Sequence, residues 1–277
     1  MASRALVLGG GGLAGIGWEW GVLAGLLERG IDLRDADVVV GTSAGSVVGT
    51  QVAAGLDPVE RYRLQLEPPT GEISAALGRG TMLRLGLAIL SSRKPERVLA
   101  RIGRVALRTP SVPEQRRLEV IASRIAVHEW PQRDLRITAV DAETGAFRVF
   151  DRSSGVSLVH AVAASCAVPG VWPPVTINGR RYMDGGMRSA ANADLAAGYE
   201  RVVVLAPLTR GFGAVPRVTA QVAELRETAR VALVTPDTAS LAAFGRNLLD
   251  PACRAPAARA GWAQAAAVLD EVGAVWS

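Results

Sequence analysis

The chain has 277 residues, 49% hydrophobic and 21% charged, which suits one large or two small globular domains and excludes a disordered ground state. Two cysteines, Cys166 and Cys253, are too few for a disulfide framework and point to a reducing, cytoplasmic setting. The net charge is +5, yet Arg79 to Arg136 alone holds 13 basic and 5 acidic residues, so the basic character is concentrated in one segment.

The start, MASRALVLGG, lacks the pattern of a secretory leader, and the longest charge-free stretch, Ser153 to Gly179, is broken by Pro169, Pro173 and Pro174. Ala5 to Leu8 predicts a buried strand. Leu13, Ile16, Trp20, Leu23 and Leu27 then recur at helical spacing and predict an amphipathic helix that stops at Gly30. Asp37 to Val40 predicts a second buried strand and Ala44 to Ala54 a second helix. Strand, helix, strand, helix with short loops implies a parallel sheet.

Residues 57–134 break this rhythm and read as a helical insertion rich in Arg, Leu and Pro. Within it, Arg97, Arg101, Arg104 and Arg108 form a stripe beside Val98, Ile102 and Val105. Two readings are open: a core-packed helix with a solvated arginine face, which such patterns favour, or a helix in peripheral contact with an anionic membrane. From Leu135 the strands resume, with hairpins over RITAVD–FRVFD and over Val175 to Met183, a helix over Ser157 to Ser165, a strand over Val202 to Ala206, and then helices.

Three motifs carry chemistry. The run Gly9 to Gly12 with Gly15 lies where a strand meets a helix, so its backbone N–H groups and the helix dipole favour an anion. Gly10, Gly12 and Gly15 also satisfy G-x-G-x-x-G, but the second strand ends in Val40 and Gly41 where a dinucleotide site needs an acid. That position instead opens G-T-S-A-G, Gly41 to Gly45, which predicts a sharp strand-to-helix turn presenting the Ser43 hydroxyl. His128 and His160 lie in unpromising contexts for its base, one in the insertion and one inside a helix. Asp184, ahead of Gly185 and Gly186, is the better candidate, since a buried carboxylate becomes basic enough to act on a serine.

The order glycine-rich loop, G-x-S-x-G about thirty residues later and D-G-G near 184, together with ASCAVPGVWPPV before YMDGG, resembles the patatin-like phospholipases over roughly residues 5–206. The resemblance implies a three-layer α/β/α fold with a mostly parallel central sheet, residues 207–277 forming a helical extension packed on it. It implies a serine lipid acyl hydrolase of phospholipase A or esterase type. Ser43 would be its nucleophile and Asp184 its proton acceptor. The Gly10, Gly11 and Gly12 amides would form the oxyanion hole. The chain departs from the family at Ala14, where the loop usually carries Arg or Lys; losing one oxyanion donor costs about 2.7–4 kcal/mol of barrier in a serine hydrolase. A non-catalytic protein binding a lipid or phosphate ligand at the glycine loop is the alternative. No metal or cofactor is expected, because zinc-type and clustered-carboxylate motifs are absent. Nucleic acid is not expected either, since the six tryptophans do not interleave with the basic segment.

Overall fold

The computed structural model describes residues 2–68, 78–209 and 215–277; parts of the insertion (69–77) and of the C-terminal extension (210–214) lie outside the described residues. Strand β1 (Arg4–Leu8) pairs in parallel with β2 (Val38–Gly41) on one side and β7 (Arg201–Leu205) on the other. Parallel pairing continues outward to β3 (Asp134–Asp141) beside β2 and to β8 (Arg230–Val234) beside β7. The far edge is antiparallel: β4 (Phe147–Phe150) and β6 (Arg180–Asp184) both pair with β3, and β5 (Val175–Ile177) pairs with β6. Both expected hairpins are therefore present. The second turns at Asn178 and Gly179, both at positive φ, as a two-residue I′ turn requires.

Alternate residues of β1 feed two cores. Leu6 and Leu8 join Val39 in one, while Ala5 and Val7 join Val38, Val40, Val202 and Val204 in the other. The first face carries α1 (Gly12–Leu27), α2 (Ala44–Ala53) and α7 (Leu158–Ser165). The second carries α8 (Val218–Leu225) and a short 3-10 turn, Ala193–Ala196. This is the expected three-layer arrangement with a mostly parallel sheet, and strands buried on both faces explain the unbroken runs LVL and VVV.

Two expectations change. Helix α1 is buried on all sides rather than amphipathic, Glu19 included. Its outer side is covered by α10 (Arg254–Gln264), and Gly17, Gly21 and Gly25 allow that approach: a Cβ at Gly21 would overlap the Ala258 carbonyl, and one at Gly17 the Arg254 carbonyl. Trp18 Nε1 donates to Gln264 Oε1 across the contact at 2.9 Å. Second, the C-terminal segment is not purely helical. Between α8 and α9 (Thr238–Phe244) it contributes β8, whose short RVALV run has no alternation to mark it, before ending in α10 and α11 (Leu269–Trp276).

The insertion is helical among the described residues, as α3 (Pro58–Leu66), α4 (Arg79–Leu90), α5 (Pro95–Arg108) and α6 (Glu114–Ile125). Val98, Leu99 and Ile102 of α5 pack with Val140, Ala142 and Met183. Arg97, Arg104 and Arg108 are exposed, and half-buried Arg101 donates to the Ser91 carbonyl. That is the core-packed reading; no apolar face of α5 is left to lie on a lipid surface. Four of the six exposed large apolar residues among those described sit on α4 instead: Met82, Leu83, Leu87 and Leu90 are 57%, 67%, 61% and 84% exposed. Among the described residues no helix is long and apolar enough to cross a membrane.

Candidate active site

The site forms at the C-terminal ends of β1 and β2, where the parallel strands hand over to helices. At the end of β2 the backbone turns so sharply that Ser43 sits at φ 52° and ψ −114°, a conformation that costs of order 1–3 kcal/mol for a residue with a Cβ. The turn survives because its neighbours are small: a Cβ on Gly41 would overlap Ser46, and one on Gly45 would run into the Leu8 carbonyl. It is held by Ser43 N–H donating to Ser165 Oγ at 2.9 Å and by Gly45 N–H donating to the Gly9 carbonyl at 2.9 Å. Ser43 is 8% exposed, with its hydroxyl at the floor of a cleft.

Asp184 ends β6, and its own N–H donates to the Ala167 carbonyl at 3.0 Å. Ser43 Oγ donates to Asp184 Oδ2 at 2.7 Å, while Oδ1 accepts from Gly186 N–H at 2.7 Å. Gly185 permits the turn, since a Cβ there would overlap Thr138. Asp184 is only 3% exposed. Burial pushes its carboxyl up to about 6, while the Ser43 hydroxyl, the Gly186 N–H and the Arg117 guanidinium pull the other way. The carboxylate is thus ionised at neutral pH and far more basic than a surface aspartate.

The glycine loop lies against this pair, with Gly10 next to the Ser43 Cβ. Gly9 N–H donates to the Leu205 carbonyl and Gly10 N–H to the Ala190 carbonyl, at 2.9 and 2.7 Å. The Gly10 amide is therefore engaged in holding the loop, which corrects its expected place among the oxyanion donors. The Gly11 and Gly12 amides, at the open N-terminus of α1, have no hydrogen-bond acceptor among the described residues. Gly12 takes φ 62°, and Gly15 packs beside Ala44. Neither histidine lines the cleft. His128 Nε2 bonds the Ala122 carbonyl at 2.9 Å, and His160 Nδ1 bonds Ser157 Oγ at 2.7 Å.

Several residues that position the site have no sequence motif. Asn192 Nδ2 donates to Thr42 Oγ1 at 3.0 Å and lies 3.3 Å from both Thr138 Oγ1 and the Gly185 carbonyl, tying the serine turn to the aspartate turn. Ser165 and Cys166 support Ser43 from the end of α7, the Cys166 thiol donating to the Ser43 carbonyl at 3.3 Å. Arg117 of α6 is buried and stacks on Trp172, its guanidinium carbon 4.1 Å from the ring centre. Glu19 of α1 is fully buried, and that burial pushes its carboxyl well above the ordinary carboxylate range, with the Gly9 amide offsetting this in part. Of these, only Ser165, Cys166 and Trp172 stand in the segment ASCAVPGVWPPV that drew notice in the sequence.

The structure of VipD from Legionella pneumophila is similar to this chain, with a TM-score of 0.50 and 16% identity over 98% of this chain and 67% of that one. The type III effector ExoU matches at a TM-score of 0.42 and 18% identity, covering 98% of this chain but 53% of the other, so the chain spans about half that protein's length. ExoU in its complex with SpcU from Pseudomonas aeruginosa gives 0.42 and 15%, over 100% and 53%. Comparison with curated protein sequences gave no match. A family model described as patatin-like phospholipase matches residues 6–197, a stretch that holds the glycine loop, the serine turn and Asp184. The chain belongs to the patatin-like phospholipase family, a membership that supports lipid hydrolysis as its general activity.

Proposed function

We propose that this protein is a serine acyl hydrolase that cleaves fatty-acyl esters with a Ser43–Asp184 dyad. One observation carries the reading: the Ser43 hydroxyl donates to a buried carboxylate at 2.7 Å, and that carboxylate has its affinity for protons raised to about 6. As Ser43 Oγ attacks the ester carbonyl carbon, its proton passes to Asp184. The carbonyl oxygen gains the negative charge and is met by the Gly11 and Gly12 amides at the positive end of α1. The C–O bond to the alcohol breaks, and the alcohol leaves with the proton from Asp184. Water then attacks the acyl-serine, Asp184 takes its proton, and the fatty acid departs as Ser43 recovers a hydrogen.

The acyl chain fits the cleft above Ser43, a space of about 480 Å³ walled by Met82, Val168, Met187, Leu208, Leu248 and Leu249. Met82 belongs to α4, so the exposed apolar face of that helix is continuous with the cleft. We assign lipid-surface contact to α4, with Arg84, Arg93, Lys94 and Arg97 exposed around it to favour an anionic aggregate. The arginine face of α5 contributes charge to that contact without inserting. The enzyme then acts from the aqueous phase, in keeping with a cytoplasmic setting.

The test is intact-mass spectrometry after treatment with a fluorophosphonate. Wild type should gain one adduct, Ser43→Ala none, and Asp184→Asn an adduct only very slowly. A folded wild type that gains no adduct would overturn the reading and favour a ligand-binding protein.

A further inference from the structure

Arg117 is a buried guanidinium that the dyad chemistry above does not use. It is 3% exposed although it belongs to the insertion, and with Cys166 and Trp172 it lines a neck of about 30 Å³ beside Ser43. Helix α6 is fixed at both ends. One turn before Arg117, Glu114 accepts from Thr176 N–H and Thr176 Oγ1 at 2.6 and 2.9 Å, which ties the helix to β5. At the other end Gln51 Nε2 donates to the Arg124 and Ile125 carbonyls at 2.9 and 3.1 Å. Between these ties the guanidinium stacks on Trp172, which closes the loop whose Ala167 carbonyl accepts from Asp184 N–H. The other charged and titratable groups around Asp184 are differently engaged. Arg188 pairs with Asp194 at 2.7 Å, and Asp141 of the neighbouring β3 pairs with Arg180 at 3.1 Å. Arg124 shares the neck, Arg246 lines the cleft, and burial pushes the Cys166 thiol up. Of these charges, Arg117 is the one whose field favours an ionised Asp184.

Three interactions therefore hold Asp184 ionised against its burial: the Ser43 hydroxyl, the Gly186 N–H and Arg117. In the acyl-enzyme the first is lost, because an esterified Ser43 Oγ has no hydrogen to donate. Asp184 must then take a proton from water while burial still favours its neutral acid. We propose that Arg117 is a positioning residue for deacylation, the buried cation that keeps Asp184 ionised once Ser43 is acylated. The water oxygen then bonds to the acyl carbon as its proton passes to Asp184 Oδ2. The bond from that carbon to Ser43 Oγ breaks, and the proton returns from Asp184 to Oγ. The inference rests on the hydrolase reading and deepens it. Arg117 acts through the carboxylate and not by touching substrate, so neutral esters depend on it as much as charged ones.

The experiment follows the full chain on para-nitrophenyl butyrate, a soluble neutral ester whose good leaving group makes acylation fast. The first turnover reports acylation, as a burst of para-nitrophenol, and the steady rate reports deacylation. In wild type the acidic limb of kcat should lie above that of kcat/KM, since the first belongs to the acyl-enzyme and the second to the free enzyme. Arg117→Met should move the kcat limb up by about one pH unit, the scale of an opposite charge nearby. Its steady rate near pH 7 should fall about tenfold with the burst retained, and the loss should close toward about pH 8.5. Arg117→Gln carries the same expectation should the first variant not fold. Arg117→Lys keeps the charge and should restore the wild-type limb, and Arg230→Gln, at the exposed start of β8, should leave it in place. A loss equal at every pH, an unmoved limb, or a lysine variant as impaired as the methionine one overturns the inference. Fluorophosphonate labelling of wild type separates the two ideas. Labelling at Ser43 together with any of those results leaves the hydrolase reading standing. A wild type that shows neither labelling nor burst overturns the hydrolase reading and this inference with it.

Discussion

Ser43 is approached by two parts of the chain built on different principles. The glycine loop, the serine turn and the Asp184 turn sit at the ends of strands buried on both faces, where each side chain is held by several hydrogen bonds. The insertion that runs through α3 to α6 is anchored by α3 against α1 and α10, by Ile121 and Ile125 of α6 in the main core and by one face of α5, but its α4 leaves four large apolar side chains in solvent. The first region is over-determined and so can hold a strained serine and a buried carboxylate. The second leaves the apolar face of α4 uncovered, the surface to which lipid contact is assigned in the proposed function. Chemistry and substrate contact are therefore separable, and substitutions in the two regions should fail in different ways.

The sharpest break is in the first region. Ser43→Ala should reduce turnover on any ester by about 10⁴-fold or more, and Asp184→Asn by about 10³-fold or more, with circular dichroism unchanged. The pH dependence follows from the same carboxylate. Since Asp184 must be ionised to accept the serine proton, kcat/KM should be flat above about pH 6 and fall about tenfold per unit below it. Stability runs the opposite way. The folded state holds the proton more tightly than an unfolded aspartate near 3.8, so between that value and about 6 the folded protein binds more protons and loses stability as pH rises. Asp184→Asn removes that penalty and should raise the melting temperature by several degrees at pH 7.5 but hardly at pH 4, as calorimetry would register.

Smaller effects belong to the insertion. Leu83, Leu87 and Leu90 changed together to Gln should cut hydrolysis of vesicle lipid about tenfold while sparing a short-chain soluble ester; equal losses on both would place α4 in the fold and not at the lipid surface. Arg97→Gln with Arg104→Gln should lower vesicle activity by no more than about threefold, and only at low salt, because exposed charges are screened. A larger effect than that of the leucine variant would return lipid contact to α5.

How much of this was legible in the sequence depended on whether the cause was local. The serine turn and the Asp-Gly-Gly turn were readable because strained or crowded backbone demands glycine at fixed spacings. The engagement of Gly10 was not, since its partner, Ala190, is 180 positions away. Asn192 and Arg117 were invisible for the same reason: an isolated polar residue has no spacing to betray it. Helix α1 looked amphipathic because hydrophobic periodicity reports the inner face. The stripe Gly17, Gly21, Gly25 was the available sign that the other face is covered as well.

That glycine stripe also sets a schedule. Helix α10 closes over α1 directly behind the glycine loop, and the Leu248 carbonyl just before it accepts from Ala14 N–H at 3.2 Å. Leu248 and Leu249 also wall the acyl cleft. Both residues of the proposed dyad have been synthesised by residue 186, yet the Leu248 carbonyl that accepts from Ala14 and the α10 cover of α1 come only with residues 248–264. At about 5–20 residues per second, about 10–45 seconds separate the making of Ser43 from the making of α10. Ser43 and Asp184 are therefore made well before the segment that walls the cleft above them.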